Sequence, residues 1–296
     1  MVHVVAVDVG GTSVKAALVD RDLNPVETLR EPTRRVDGSV DVAHIADLIT
    51  RLADGHEVAG VGVAVPGIVD DATGHVHTAV NLGWHDLPLR SRLRTLTGLP
   101  LLVRHDVRTG GLAEFTVGAA TGVPNAVFLP IGTGIAAAFQ VDGRPVVAGG
   151  FAGEIGHVVV DPGGATCNCG QVGCLETLAA APAVGRRYTE RTGREATAAD
   201  VATRLAEDPD ARAVWADAVA ALGTALTLAA TLFGPEVIVL GGGLAEAGDA
   251  LVDPVREDLH ARLTFQREPR VVRAALGQDA GRAGAALLGW QAAEQG

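Results

Sequence analysis

The chain has 296 residues, of which 48% are hydrophobic and 20% charged, a balance that fits a globular protein long enough for two domains. Its net charge of −11 argues against a nucleic-acid partner, which needs a basic face. No apolar run reaches membrane-spanning length without charges or turn residues, and the start, Met1 to Asp8, lacks a secretory pattern, so no membrane partner and a cytoplasmic location are expected.

In chain order, alternating valines predict strands at Val4–Val9, Val14–Val19 and Val26–Leu29, with turns at Gly10-Gly11 and Asp20-Arg21-Asp22. A helix is expected over Val40–Ala53, then a buried strand over Val58–Val65 ended by Pro66-Gly67. Arg90–Leu96 reads as helix, Pro100–Arg104 as strand and Val107–Phe115 as helix. The second half starts over in the same style. Ala126–Pro130 is apolar, Gly132-Thr133-Gly134 turns, Ile135–Val141 returns, Asp142-Gly143 turns again and Pro145–Val147 follows. The repeated strand, glycine turn, strand order suggests duplication of one α/β unit. A long helix over Ala211–Phe233, a strand over Val237–Leu240 running into Gly241-Gly242-Gly243, and a last helix over Gly281–Ala293 close the chain.

All three cysteines fall in Cys167-Asn168-Cys169-Gly170-Gln171-Val172-Gly173-Cys174, with His157 upstream. Three thiols and one imidazole make a four-ligand zinc set, structural because no position is left for substrate. Glu154 and Glu176 flank it. Asp8-Val9-Gly10-Gly11-Thr12 offers a tight turn whose backbone N–H groups can approach a phosphate, with Asp8 able to hold magnesium through water. Ile131-Gly132-Thr133-Gly134 repeats that logic, and Gly241 to Gly243 permit flat contact with a ring or ribose. Each also reads as an ordinary tight turn. Asp106, between a buried strand and a helix, reads either as a plain N-cap or as a general base at a strand's C-terminal end.

Together these motifs resemble the ROK family of sugar kinases and sugar-responsive repressors. The resemblance runs through Asp8 to Thr12, Gly62 to Asp70, Asn81-Leu82-Gly83-Trp84, His105-Asp106-Val107-Arg108, Ile131 to Ile135, Gly153-Glu154-Ile155-Gly156-His157, Cys167 to Glu176 and Leu240 to Gly243. It implies an α/β, actin-like (ribonuclease H-like) duplicated fold with an inter-domain cleft. The expected domains are 1–117, completed by a C-terminal helix at 280–296, and 118–279, which carries the zinc loop. It implies an ATP-dependent hexose kinase with Mg2+ and structural Zn2+, often a homodimer, with Asp106 as base for the sugar 6-hydroxyl. Sugar contacts are expected from His105, Asp106, Glu154, His157, Glu176, Gly67 and Asn81. Nucleotide contacts are expected from Asp8, Gly10, Gly11, Thr12, Lys15, Gly132, Thr133, Gly134, Gly241, Gly242 and Gly243. The metal ligands are expected to be His157, Cys167, Cys169 and Cys174. Two departures stand out. His105 replaces the family's usual asparagine, which suits an amino-hexose such as kanosamine, and Ala136 stands where the second phosphate turn usually continues with glycine. N-acetylmannosamine is another amino-sugar candidate. A sugar-sensing repressor is the competing class. The phosphate strand begins at residue 2, leaving no room for a preceding helix-turn-helix domain, so the kinase is the expectation.

Overall fold

Odd-numbered valines at the start face one way and even-numbered residues the other, and two different helices cover them. In the computed structural model, which describes residues 1–295, Val5, Val7 and Val9 pack against Ile45, Leu48, Ile49 and Leu52 of the helix Val42–Ala53. Val4 and Ala6 pack against Ala285 and Ala286 of the helix Ala280–Gln295. Gly296, the last residue of the expected 280–296 segment, lies outside the described residues. Each fully buried Ile or Leu here contributes about 1.5–3 kcal/mol. Asp41 caps the first helix by accepting from Ala43 N at 2.9 Å, which fixes its start two residues later than the apolar pattern alone suggests.

Contacts divide the chain into two units. The first is Met1–Ala113 with Val147–Ala152 and Asp279–Gly296, and the second is Glu114–Val146 with Gly153–Gln278. Each contains a five-stranded sheet. In the first, the order is Pro25–Pro32, Ser13–Val19, Val2–Val9, Glu57–Val65, Leu101–His105. The first three strands are antiparallel and the rest are added in parallel. In the second, Arg144–Pro145, Ala138–Val141, Ala126–Pro130, Val237–Gly241 and Arg270–Arg273 repeat that order and those directions. This is the duplicated, actin-like α/β architecture.

Close packing explains the glycines of the first sheet. A Cβ at Gly62 would lie 1.9 Å from the carbonyl oxygen of Ala285, and one at Gly60 would lie 2.3 Å from that of Gly289. Strand and helix backbones therefore touch directly. In the second unit the helix Pro209–Phe233 is capped by Asp208 and buries Trp215, Leu222 and Leu226 with Ile238 and Leu240. Among the described residues it is the one helix long and apolar enough to cross a membrane, and it serves here as the core helix of its unit.

Some local expectations shift. Ile135 makes an isolated bridge to Ile131, and the regular strand runs only over Ala138–Val141, because the Ile135 N–H is taken by the Glu176 carboxylate. The expected Pro145–Val147 strand is Arg144–Pro145, and a short 3-10 turn with Gly149 and Gly150 at φ 65° and 98° follows. A small sheet of Ile68–Asp70, His75–Ala79 and Trp84–Leu87 and the strand Arg270–Arg273 went unread in the sequence. Their short runs are broken by turn residues and charges.

Candidate functional site

In the first unit the parallel strands Val2–Val9, Glu57–Val65 and Leu101–His105 bring Asp8, Gly67 and Asp106 to one edge of the sheet, the edge where α/β folds place their ligands. Asp106 opens the helix Asp106–Thr116 and its Oδ1 accepts from Val107 N at 2.7 Å. That bond orients the carboxylate. Burial raises the Asp106 carboxyl above its ordinary value, against the opposing pull of the Val107 N–H and the Arg108 guanidinium. Burial also raises Asp8, opposed by Lys15 and reinforced by repulsion from Asp106. Lys15 lies opposite Asp8 in the hairpin, its Nζ 3.6 Å from Asp8 Oδ2. His105 is buried, with Nε2 3.3 Å from Asp106 Oδ1.

The Gly10-Gly11-Thr12 turn is held from outside. Thr33 Oγ1 donates to Gly10 O at 2.7 Å, and Thr33 N donates to Thr12 O at 3.0 Å. Arg35 donates to Asn81 O at 2.7 Å and to Gly11 O at 3.3 Å, which seats Asn81 beside the turn. Gly67 has φ 103°, and a Cβ there would lie 2.2 Å from Thr78 O, so only glycine fits.

In the second unit His157, Cys167, Cys169 and Cys174 offer ligand atoms that all lie within 4.8 Å of one another. His157 Nδ1 is 3.6 Å from Cys167 Sγ, and Cys169 Sγ is 3.6 Å from Cys174 Sγ. A tetrahedral zinc with ordinary Zn–S and Zn–N bonds has ligand–ligand edges of about 3.5–3.8 Å. Burial, with the two neighbouring thiols, pushes the Cys174 thiol up to about 12. Three sulfurs this close cannot all be thiolates without a cation, and a divalent ion supplies that charge. The donor set and the spacing both fit zinc.

Glu176 ties this loop to the second glycine turn. Its Oε2 accepts from Ile135 N at 2.7 Å, while Oε1 lies 3.8 Å from His157 Nδ1. Gly156 packs directly on the turn, since a Cβ there would lie 2.1 Å from Ile135 O. Gly132 N donates to Gly134 O at 3.1 Å, and Thr133 and Gly134 are exposed. Gly241 and Gly242 lie against the same turn. Ile131 N donates to Gly241 O at 2.9 Å, and a Cβ at Gly242 would lie 2.5 Å from Ile131 O. Gly243 borders a recess of about 280 Å3 lined in part by Ala198, Ala202, Trp215, Leu244 and Ala247. Glu154 sits at the start of the short 3-10 helix Ile155–His157.

Within the first unit the structure thus gathers Asp8, Gly10, Gly11, Thr12, Lys15, Gly67, Asn81, His105 and Asp106. Within the second it gathers Gly132, Thr133, Gly134, Glu154, His157, Glu176, the cysteines and Gly241 to Gly243. The sequence alone does not single out Arg35, which braces the first turn, or Asp71 and Arg108, which pair at 2.9 Å in the first unit. Arg108 had a visible signal: it is the one basic residue in the otherwise apolar, small and uncharged run Val107–Ala113.

A sequence profile of the family described as the ROK family matches residues 4–292. A glucokinase from Halalkalibacterium halodurans is 36% identical, over 98% of this chain and 95% of the relative. A kanosamine kinase from Amycolatopsis mediterranei is 32% identical, over 84% of this chain and 83% of the relative. The crystal structure of a ROK family glucokinase from Streptomyces griseus, in complex with glucose and AMPPNP, superposes with a TM-score of 0.84 at 27% identity, covering 98% of this chain and 99% of that one.

Proposed function

The chain belongs to the ROK family, and from that premise we propose that it is an ATP-dependent hexose kinase transferring phosphate to the 6-hydroxyl of glucose or a glucose-like sugar. The observation that carries the reading is Asp106, a carboxylate of raised affinity for protons at the C-terminal end of a parallel strand, with Asp8 on the same sheet edge. A general base for an alcohol needs a carboxylate placed to accept that proton.

In the proposed mechanism Asp106 aligns the sugar 6-hydroxyl. Its oxygen attacks the γ-phosphorus in line, the bond to the β-phosphate oxygen breaks, the hydroxyl proton passes to Asp106, and ADP leaves. Asp8 orders the magnesium of Mg-ATP through water, with Lys15 balancing its charge. Backbone N–H groups of Gly10 to Thr12 and Gly132 to Gly134 bind phosphate oxygens, and Gly241 to Gly243 face the adenosine. Glu154, His157 and Glu176 bind sugar hydroxyls, as do Gly67 and Asn81. His157, Cys167, Cys169 and Cys174 hold a structural zinc, which when bound supplies the charge that keeps three thiolates together. With Nδ1 turned to the cysteines, Nε2 of His157 is the ring nitrogen left for a sugar hydroxyl.

A second reading of the substrate, an amino-hexose such as kanosamine or N-acetylmannosamine, rests on His105. A neutral imidazole, here buried beside Asp106, donates at one nitrogen, accepts at the other and is larger than the amide, which donates and accepts at a single end. Similarity to the Amycolatopsis kanosamine kinase supports it. A site built to hydrogen-bond one substituent rejects an analogue lacking it by about 10⁴-fold, so one position suffices to switch preference. A cytoplasmic homodimer completes the reading.

The test is coupled ADP release across glucose, kanosamine, glucosamine, N-acetylmannosamine, fructose and allose, repeated with His105→Asn. Sugar-dependent ADP release is expected, with the order of preference changed by the substitution. Sugar binding without ADP release for every sugar would refute the kinase and favour a sensor.

A further inference from the structure

Arg108 follows Asp106 by two residues in the first turn of the same helix, and it is buried. Its guanidinium has five N–H donors, and each of the five has an acceptor. Nε donates to Asp71 Oδ2 at 3.4 Å, and Nη2 to Asp71 Oδ1 at 2.9 Å and to Val69 O at 2.8 Å. Nη1 donates to Gly150 O at 3.3 Å and to Ala152 O at 3.4 Å. The Asp71 side chain is 12% exposed, so the pair is a two-pronged, largely desolvated ion pair of the strong kind.

These acceptors come from two separate segments. Val69 and Asp71 belong to the stretch that follows Pro66-Gly67, and Gly150 and Ala152 to Val147–Ala152. The two segments already lie flat on one another. Gly150 has φ 98°, and a Cβ there would lie 2.3 Å from Val69 O. That contact lets one guanidinium reach both carbonyls. The bond from Val107 N to Asp106 is internal to the first helical turn. It orients the carboxylate relative to the helix and does nothing to fix the helix relative to its surroundings.

We propose that Arg108, with Asp71, is a positioning residue that locks the Asp106 turn to the Gly67–Asp71 and Val147–Ala152 segments, and so sets where the base stands. The inference rests on the reading of Asp106 as base. A lysine offers three donors and no fork, so it cannot replace all five bonds.

The experiment compares Arg108→Met, Arg108→Lys, Asp71→Asn and the double Arg108→Met/Asp71→Asn by steady-state kinetics and by amide hydrogen exchange. Displacement of a catalytic group by about 1 Å costs about 100-fold in rate. Arg108→Met is expected to lower kcat by about that factor while sugar KM changes by less than about threefold. Arg108→Lys should recover only part of the loss. Asp71→Asn should lose a similar factor, and the double variant no more than the worse single one. Exchange should quicken together in peptides covering 66–72 and 147–152, and stay unchanged in Val2–Val9. A folded Arg108→Met with wild-type kcat, or exchange that rises in one segment alone, overturns the proposal. If Arg108→Met does not fold, the kinetics and exchange of Asp71→Asn decide by the same criteria. If the wild type releases no ADP with any sugar, the kinase reading fails, and exchange alone still decides whether Arg108 joins the segments.

Discussion

Replacing Asp106 by asparagine separates the chemistry of this residue from its structural work. The substitution keeps the shape and an oxygen to accept from Val107 N at 2.7 Å, so the helix turn survives. It removes the proton acceptor. Loss of a general base costs about 10²–10⁴ in kcat, which is about 3–5.5 kcal/mol of barrier. Stability should move the other way. Burial raises the folded carboxyl above 3.8, so the folded state binds the proton more tightly than the unfolded chain. Stability then falls as pH rises from 3.8 through the folded value, and above it the ionised group costs stability in full. Asparagine lifts that cost. The side chain keeps 38% exposure, which limits the gain to about 1 kcal/mol, or about 2 °C in Tm. The measurement is ADP release with saturating sugar and ATP, alongside thermal melts at pH 4 and pH 7.5. We expect collapsed kcat, nearly unchanged sugar affinity, and a Tm gain at pH 7.5 that shrinks at pH 4. In the wild type, kcat/KM should fall as acid protonates Asp106. Wild-type turnover by a folded variant removes Asp106 from the role, and a lower Tm at pH 7.5 refutes the burial argument.

Three further outcomes follow from the geometry. Cys174→Ser should lower zinc affinity by at least about 100-fold and weaken sugar binding more than it lowers Tm, as read by metal analysis and binding titration; stoichiometric zinc with unchanged sugar affinity would count against the site. Glu176→Gln exchanges a charge-assisted bond to Ile135 N for a neutral one, a loss of about 1 kcal/mol, and should raise the KM for ATP about fivefold; an unchanged KM would sever the turn from phosphate binding. Gly62→Ala places a methyl 1.9 Å from Ala285 O, a clash with backbone that cannot yield cheaply. Overpacking of this kind costs about 1–3 kcal/mol, and calorimetry should show it as a lower Tm with zinc content untouched.

The sequence announces features whose cause is local. Valine alternation locates the antiparallel strands of the first sheet, and short unbroken apolar runs locate the central strands of both, because either pattern is a property of a few consecutive residues. The cluster of His157 with Cys167, Cys169 and Cys174 is legible because three closely spaced thiols and an upstream imidazole are a recognisable donor set in the sequence itself. The hairpin sheet between Ile68 and Leu87 escapes such reading because each strand is too short to show a period. Arg35 and Arg108 escape it for a different reason. Most of their partners are backbone carbonyls, the farthest 46 residues away, and every residue type has a carbonyl. Nothing in the composition of a distant segment marks it as the acceptor of one particular guanidinium.

The two glycine turns show how far similarity in sequence can part from similarity in support. Gly10-Gly11-Thr12 is braced by a threonine hydroxyl and an arginine from its own unit. Gly132-Thr133-Gly134 is braced by the carboxylate of Glu176, two residues beyond Cys174. A disturbance of the cysteine loop therefore has a direct route to the second turn, through Glu176 and through Gly156 packed on Ile135. The His157 and cysteine loop is thus part of the scaffold of the second glycine turn, and the order of that turn depends on residues outside it.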